Sequence, residues 1–274
     1  MKYLNFSEVA ESDSLRSKYM FENVFRREAL DTNSSNSYGG IPKHLIQYWD
    51  DAIIPEDVKK VMDTWTKSGL PKIVFDKKSA GKFISDNFSD KFSEAYERCI
   101  HPAMRSDYFR LCYLYKNGGF YVDVDDKFND VCLNFLFENN NLKVSPLCYD
   151  LSADQMVEIN HFYYNSEEAN PNYIYYVNND PILAPAKHPL IGLALDRATY
   201  NLLNEATNLK QIQSVSGPGN FSASVVQFFL NNENTNSPLP FELIKNWDEI
   251  STPQWNLMYR EDQRNWRIWS GESM

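Results

Sequence analysis

Apolar positions along the chain fall into two rhythms. Residues 42–49 (PKHLIQYW) and 72–75 are short, largely apolar runs of strand length. Between them Val58, Val61, Met62 and Trp65 share one face of a helix predicted over residues 55–67. Asp50-Asp51 ends the first strand, and Pro71 marks the turn before the second. Two further helices are predicted over residues 79–88 and 91–99. The order strand–helix–strand–helix predicts an α/β fold with a mostly parallel sheet. Beyond residue 130 the rhythm is less regular, with strand-like pieces at 142–145 and 173–177 and helix-like pieces at 188–203 and 221–231. The chain shows no internal repeat.

The first 30 residues also read as helical, with Leu15, Tyr19 and Phe25 on one face and Arg26-Arg27 near the end. Residues 31–40 (DTNSSNSYGG) are a polar breaker stretch. This divides the chain into an N-terminal helical arm with its linker (1–38) and a main domain (39–274). The mixed charges of the arm favour a packing role over contact with an acceptor or a membrane.

Composition narrows the function. With 27 Lys+Arg against 37 Asp+Glu the net charge is −10, which argues against nucleic acid or an anionic membrane as the main partner. It also sets a puzzle, since an anionic ligand would have to be held against that charge. Cys99, Cys112, Cys132 and Cys148 form no CxxC pair and read as reduced thiols. The first 20 residues lack the apolar run of a signal peptide, and no window approaches the ~18 apolar residues of a membrane helix. The expectation is a soluble, cytoplasmic protein, with peripheral membrane contact not indicated.

Chemistry concentrates in residues 103–126 (AMRSDYFRLCYLYKNGGFYVDVDD). The first half is helical, with Met104, Leu111 and Leu114 at helical spacing, and Asn117-Gly118-Gly119 stops it through glycine in the left-handed conformation. Residues 120–124 then read as a strand. Asp123 and Asp125 lie two apart, so both carboxylates are expected on one strand face, with Asp126 following. Acids gathered at a strand end fit a divalent cation, because hard cations prefer carboxylate oxygens. An acidic turn facing water is the plainer alternative. Asp107 and Arg110 are neighbours at i and i+3 on the preceding helix; they read either as a surface ion pair or as a sugar- and phosphate-binding pair.

The combination Arg105-Ser106-Asp107-Tyr108-Phe109-Arg110 with Gly118-Gly119-Phe120-Tyr121-Val122-Asp123-Val124-Asp125 resembles the DXD region of family 32 glycosyltransferases. That group includes yeast initiating mannosyltransferases and bacterial capsule or lipopolysaccharide sugar transferases; glucosylating domains of clostridial toxins share a related signature. Residues 41–49 resemble the family's first strand, and the likeness covers roughly residues 41–220. It implies a GT-A fold, Rossmann-like with a mostly parallel sheet between helices, and retaining transfer from a nucleotide-sugar donor, UDP-sugar favoured, to a glycan, lipid-linked or protein hydroxyl in polysaccharide biosynthesis. It implies Mn²⁺ or Mg²⁺ on Asp123 and Asp125. It implies catalytic roles for Asp107, Arg110, Asp123 and Asn179, the last within residues 177–184. It implies donor contacts from Gln47, Trp49, Ser106, Asp107, Arg110, Asp123 and the Ser216-Gly217 turn. Trp49 reads equally as a core tryptophan. His188-Pro189 resembles the family's HP pair at a helix start.

The C-terminus departs from the family, whose members often end in a His-rich stretch and a Ser-Trp pair. Here Trp266, Trp269 and Ser270, with Arg264 or Arg267, stand as a substitute lid or as an aromatic tail docked on the body. No protein nucleophile is evident, which makes a front-face displacement the default route. A metal-dependent phosphohydrolase is the rival enzyme reading, weakened because the histidines at 44, 101, 161 and 188 are not paired at ligand spacing. A non-catalytic nucleotide-sugar binding module is the third.

Overall fold

The computed structural model of the protein describes residues 6–26, 39–232 and 241–271. The 31–40 linker lies almost wholly outside them. Two short helices open the chain, α1 (Glu8–Glu11) and α2 (Asp13–Tyr19), each capped by the side chain of a preceding serine, and a π-helical segment Met20–Phe25 continues them. The buried side of this region is Ser17, Met20, Phe21, Val24 and Phe25. Leu15, expected on that side, is 41% exposed, because the break at Ser12 and the wider π turn rotate the apolar stripe past it.

The order then becomes β1 (Leu45–Tyr48), α3 (Glu56–Thr64), β2 (Lys72–Phe75), α4 (Lys77–Asn87), α5 (Asp90–Glu97), α6 (Pro102–Asn117), β3 (Gly119–Tyr121) and β4 (Asp126–Phe128). It continues through β5 (Leu142–Asp150), β6 (Gln155–Met156), β7 (Tyr173–Ala184), α7 (Pro189–Leu203), α8 (Ile212–Val215), α9 (Pro218–Asn232), β8 (Phe241–Leu243), α10 (Trp247–Ile250) and β9 (Ser251–Pro253). The main sheet runs β2-β1-β3-β7-β5-β6, with β8 against β5. The pairings make β2, β1, β3, β5 and β8 run one way, with β7 and β6 against them. The expected α/β organisation is present; the parallel pairs are β2–β1, β1–β3 and β5–β8, and β7 and β6 pair antiparallel with their neighbours.

Side-chain alternation divides the core between the two faces of the sheet. Ile46, Tyr121 and Ile182 join the large cluster that includes Tyr108, Leu111, Leu195 and Phe221. Leu45, Phe120 and Leu183 join a smaller one with Trp65, Phe128 and Trp247. The N-terminal region belongs to the large cluster: Phe21 lies 4.7 Å from the Tyr175 ring, and the Ser17 hydroxyl donates to Tyr173 O and accepts from Tyr175 N–H.

The Gly118-Gly119 break is tighter than a left-handed cap. Gly118 has φ 70° with ψ −172°, and Gly119 has φ 123°. A Cβ on Gly118 would lie 2.6 Å from Ala186 N and 2.8 Å from Ala184 O. Glycine is needed there both for the backbone angle and for close approach to the end of β7.

Candidate active site

Helix α6 carries half of the site and is held at its start. His101 caps it, Nδ1 accepting from Ala103 N–H at 3.1 Å while Nε2–H donates to Gln263 O at 2.9 Å; burial lowers this imidazole's pKa. Arg105 clamps Asp50 at the end of β1 with two bonds of 2.6 and 2.8 Å, and Tyr48 donates to the same carboxylate at 2.6 Å. These contacts fix the helix face that presents Ser106, Asp107 and Arg110.

Arg110 is the hub. Its side chain is 3% exposed, and its guanidinium donates to Asn179 O at 2.7 Å, Asp123 Oδ1 at 2.9 Å and Ser106 Oγ at 3.1 Å. It also pairs with Asp107 at 3.2 Å and lies 4.2 Å from the centre of the Tyr121 ring. Asn179 donates to Asp107 Oδ1 at 2.8 Å, and Ser216 donates to Oδ2 at 3.5 Å. Gly217 brings backbone close to the same oxygen, where a Cβ would lie 3.2 Å away. Gln47 donates to Asp123 O at 3.3 Å, and its buried Oε1 has no partner among the described residues. The structure thus brings Gln47, Ser106, Asp107, Arg110, Asp123, Asn179, Ser216 and Gly217 together from five separate segments. The Asp107–Arg110 pair is therefore not a surface ion pair. Burial pushes the Asp107 carboxyl up to about 6 against the pull of Arg110.

Asp123 and Asp125 do not share a strand face. Strand β3 ends at Tyr121, and the acids sit in the turn that leads to β4. A two-residue spacing sets one face only while a strand continues, and here the two carboxylates diverge. Asp123, about a third exposed (35%), accepts from Arg110 and from Tyr121 Oη–H at 3.1 Å. Asp125 points to the C-terminal segment, where Oδ2 accepts from Tyr259 Oη–H at 2.6 Å and from Arg260. Asp126 is buried and accepts from Trp247 Nε1–H at 3.1 Å.

The expected divalent cation fits this donor set in part. Among the described residues no group of three or more His, Cys, Asp or Glu side chains is arranged to hold a metal. Mg²⁺-like ions ordinarily take one or two carboxylates and complete their shell with substrate phosphates and water. Asp123 and Asp125 match that pattern, since both hydrogen bonds to the Asp125 carboxylate fall on Oδ2.

Trp49 stands apart from the Arg110 hub. It is 7% exposed, donates to Ile53 O at 3.2 Å, and packs in a small cluster with Val58, Met62, Val124 and Leu257. Its ring lies 5.3 Å from Tyr259 and 5.7 Å from the Arg264 guanidinium. Of the tail residues, Trp269 lies 5.0 Å from the His101 ring, the Ser270 N–H donates to Gln263 Oε1, and Trp266 is 36% exposed. Arg264 pairs with Asp262.

Three residues escaped the sequence reading. Asp180 accepts from the Asp123 N–H at 2.8 Å and so sets the backbone of the acidic turn. Burial raises its pKa well above the usual carboxylate range. Tyr259 and Arg260 hold Asp125. Asp180 followed a recognised asparagine and carried some signal, whereas nothing in residues 255–262 connects them to Asp125 in sequence.

Residues 42–143 match the sequence model of a family described as "Glycosyltransferase sugar-binding region containing DXD motif". No curated protein matches the chain. Among solved structures, one titled "PaToxG Glycosyltransferase" aligns with TM-score 0.46 and 19% identity over 84% of this chain and 87% of that one.

Proposed function

We propose, from the match of residues 42–143 to the DXD-containing sugar-binding region of glycosyltransferases, that the protein is a retaining, metal-dependent glycosyltransferase. It moves a hexose from a nucleotide-diphosphate sugar, UDP-linked by preference, to a hydroxyl of a glycan, lipid-linked or protein acceptor. The observation that carries this reading is the buried Asp107–Arg110–Asn179 constellation joined through Arg110 to the partly exposed Asp123 carboxylate.

In this reading Asp107 and Asn179 hold sugar hydroxyls. Asp107 accepts hydrogen bonds as a carboxylate, and Asn179, tied to it at 2.8 Å, keeps its direction. Arg110 keeps Asp107 and Asp123 apart and charged, and adds a fixed positive charge near the developing anion. Gln47 and Ser106 steady the hub from both sides. Trp49 borders the acidic turn on the Tyr259 side as a candidate base contact. A Mn²⁺ or Mg²⁺ ion held by Asp123 and Asp125 supplies charge neutralisation for the departing diphosphate. With no protein nucleophile assigned, the residues position donor and acceptor for displacement on one face of the sugar. We place the protein in the cytoplasm, where the buried free thiols Cys99, Cys112 and Cys148 stay reduced. No helix among the described residues is long and apolar enough to cross a membrane.

The test is a thermal-shift screen of UDP- and GDP-sugars with Mn²⁺, followed by turnover of the stabilising donor. Asp125→Asn should abolish metal-dependent hydrolysis or transfer while circular dichroism stays native. Turnover equal to that of the unaltered protein would overturn the metal assignment.

A further inference from the structure

Asp125, an expected metal ligand, is already neutralised. The guanidinium of Arg260 bonds its Oδ2, and this side chain is only 13% exposed. A surface ion pair formed by chance would leave the cation in water. Here Arg260 is packed, with its Nε buried and lacking any partner among the described residues. A buried donor without an acceptor is costly, so it marks a place where an acceptor is missing.

The surroundings indicate which acceptor. Arg260 lies 4.4 Å from the Trp255 ring centre, and Arg267 lies 5.4 Å from the same ring and 4.5 Å from that of Trp266. Arg267 makes no ion pair among the described residues. Two guanidiniums therefore flank one indole, and only that of Arg260 is paired with a carboxylate, Asp125. In a chain of net charge −10, two guanidiniums this close make a local positive feature suited to an anionic ligand. Planar guanidiniums match phosphate oxygens with two parallel bonds. The segment that carries them docks on the body through Tyr259 on Asp125, Met258 N–H on Asp57 at 2.8 Å and Gln263 O on His101.

We infer that Arg260 is a second cation of the donor site, resting on Asp125 in the free protein and binding diphosphate oxygens, with Arg267 beside it, once a divalent cation occupies Asp125. This rests on the donor reading above and names a part of the site that lies outside the matched region. It has two opposite consequences. Without phosphate, Arg260 competes with the metal. With phosphate, Arg260 and the metal bind the same anion and support one another.

Two titrations separate these effects: Mn²⁺ alone, followed by electron paramagnetic resonance, and inorganic pyrophosphate in saturating Mn²⁺, followed by calorimetry. Arg260→Gln should bind Mn²⁺ alone roughly tenfold more tightly and pyrophosphate at least roughly tenfold more weakly than the unaltered protein. Arg260→Lys, which keeps the charge but loses the fork, should leave Mn²⁺ binding near its original value and still weaken pyrophosphate. Tyr259→Phe removes the neighbouring donor to Oδ2 while leaving the guanidinium, and should weaken pyrophosphate binding less than Arg260→Gln does; an equal loss would assign the effect to Asp125 placement and overturn the inference. Melting curves of each variant establish folding. Equal pyrophosphate affinity in Arg260→Gln and the unaltered protein would sink the inference and leave the donor reading standing. Absence of pyrophosphate and UDP binding to the unaltered protein with Mn²⁺ would overturn both.

Discussion

Single residues here gain their properties from burial. Asp107 ionises at about 6 because it is buried, with Arg110 pulling the other way. If the carboxylate is the working form, donor affinity should rise with pH through about 6 and level off above it. Isothermal titration between pH 5 and 8 checks this, and Asp107→Asn should bind weakly at every pH. Removing the opposite partner leaves two carboxylates without their cation: Arg110→Ala should cost about 3–5 kcal/mol in denaturant titration, the range for breaking a buried pair. Asp126 supplies a stability signal. Burial first, then Asp125 and Asp123, push it up to about 8. An acid whose folded pKa is raised contributes stability that is full below its unfolded pKa, near ~4, and is lost as pH rises through the folded value. Chelator-treated protein should therefore lose melting temperature from about pH 4 up to about pH 8, and Asp126→Asn should flatten that decline. A slope unchanged by the substitution would contradict the assignment.

At the scale of elements, the break between α6 and β3 sets the start of the strand that leads to the acids. Gly118→Ala should destabilise the fold by more than Gly69→Ala. Both have φ near +70°, yet nothing lies within 4 Å of a Cβ at Gly69, while one at Gly118 meets backbone atoms. Gly69, with ψ 0°, is left-handed and costs an alanine about 1–2 kcal/mol, whereas Gly118, with ψ −172°, lies where only glycine is at ease and adds the clash. Parallel chemical denaturation of the two variants measures the difference. The elements differ in how plainly the sequence announced them. Strand β2 falls on the expected residues 72–75, and Val58, Val61, Met62 and Trp65 are all buried as their spacing predicts. Both signals are local. Strand β7 extends seven residues past the expected 173–177: Asn178, Asn179, Asp180 and Pro181 lack strand propensity and fall at the irregularity between Val177, paired with Pro146, and Ile182, paired with Val144 and Tyr121. The register that carries Asn179 to Asp107 was therefore visible only through the motif, not through periodicity. The divergence of Asp123 from Asp125 was not visible at all, since a two-residue spacing implies one face only while a strand continues.

For the whole molecule, the N-terminal region belongs to the main core. Phe21 and Phe25 meet Tyr175 and Phe162, and Glu11 pairs with Arg197 of α7, which also bonds Asn220 of α9. Phe21→Ala should cost about 3–5 kcal/mol, as for other buried phenylalanines, a loss that a loosely docked arm would not show. Guanidinium melts of the full chain decide this. Net charge also looks different once the fold is known. The −10 is a sum over the surface, whereas Arg110, Arg260 and Arg267 gather around the acidic turn.

The hub around Arg110 draws on positions 47, 106–110, 123, 179 and 216, so hydrogen-bonded partners are separated by as many as 109 residues of the 274. Such distant pairings close late, after nearer ones have absorbed the entropy of bringing the chain together. Time is therefore part of this architecture. On dilution from denaturant, helical signal should return before Asp107 meets Asn179 and Ser216, and sugar-nucleotide recognition should be among the last properties to reappear.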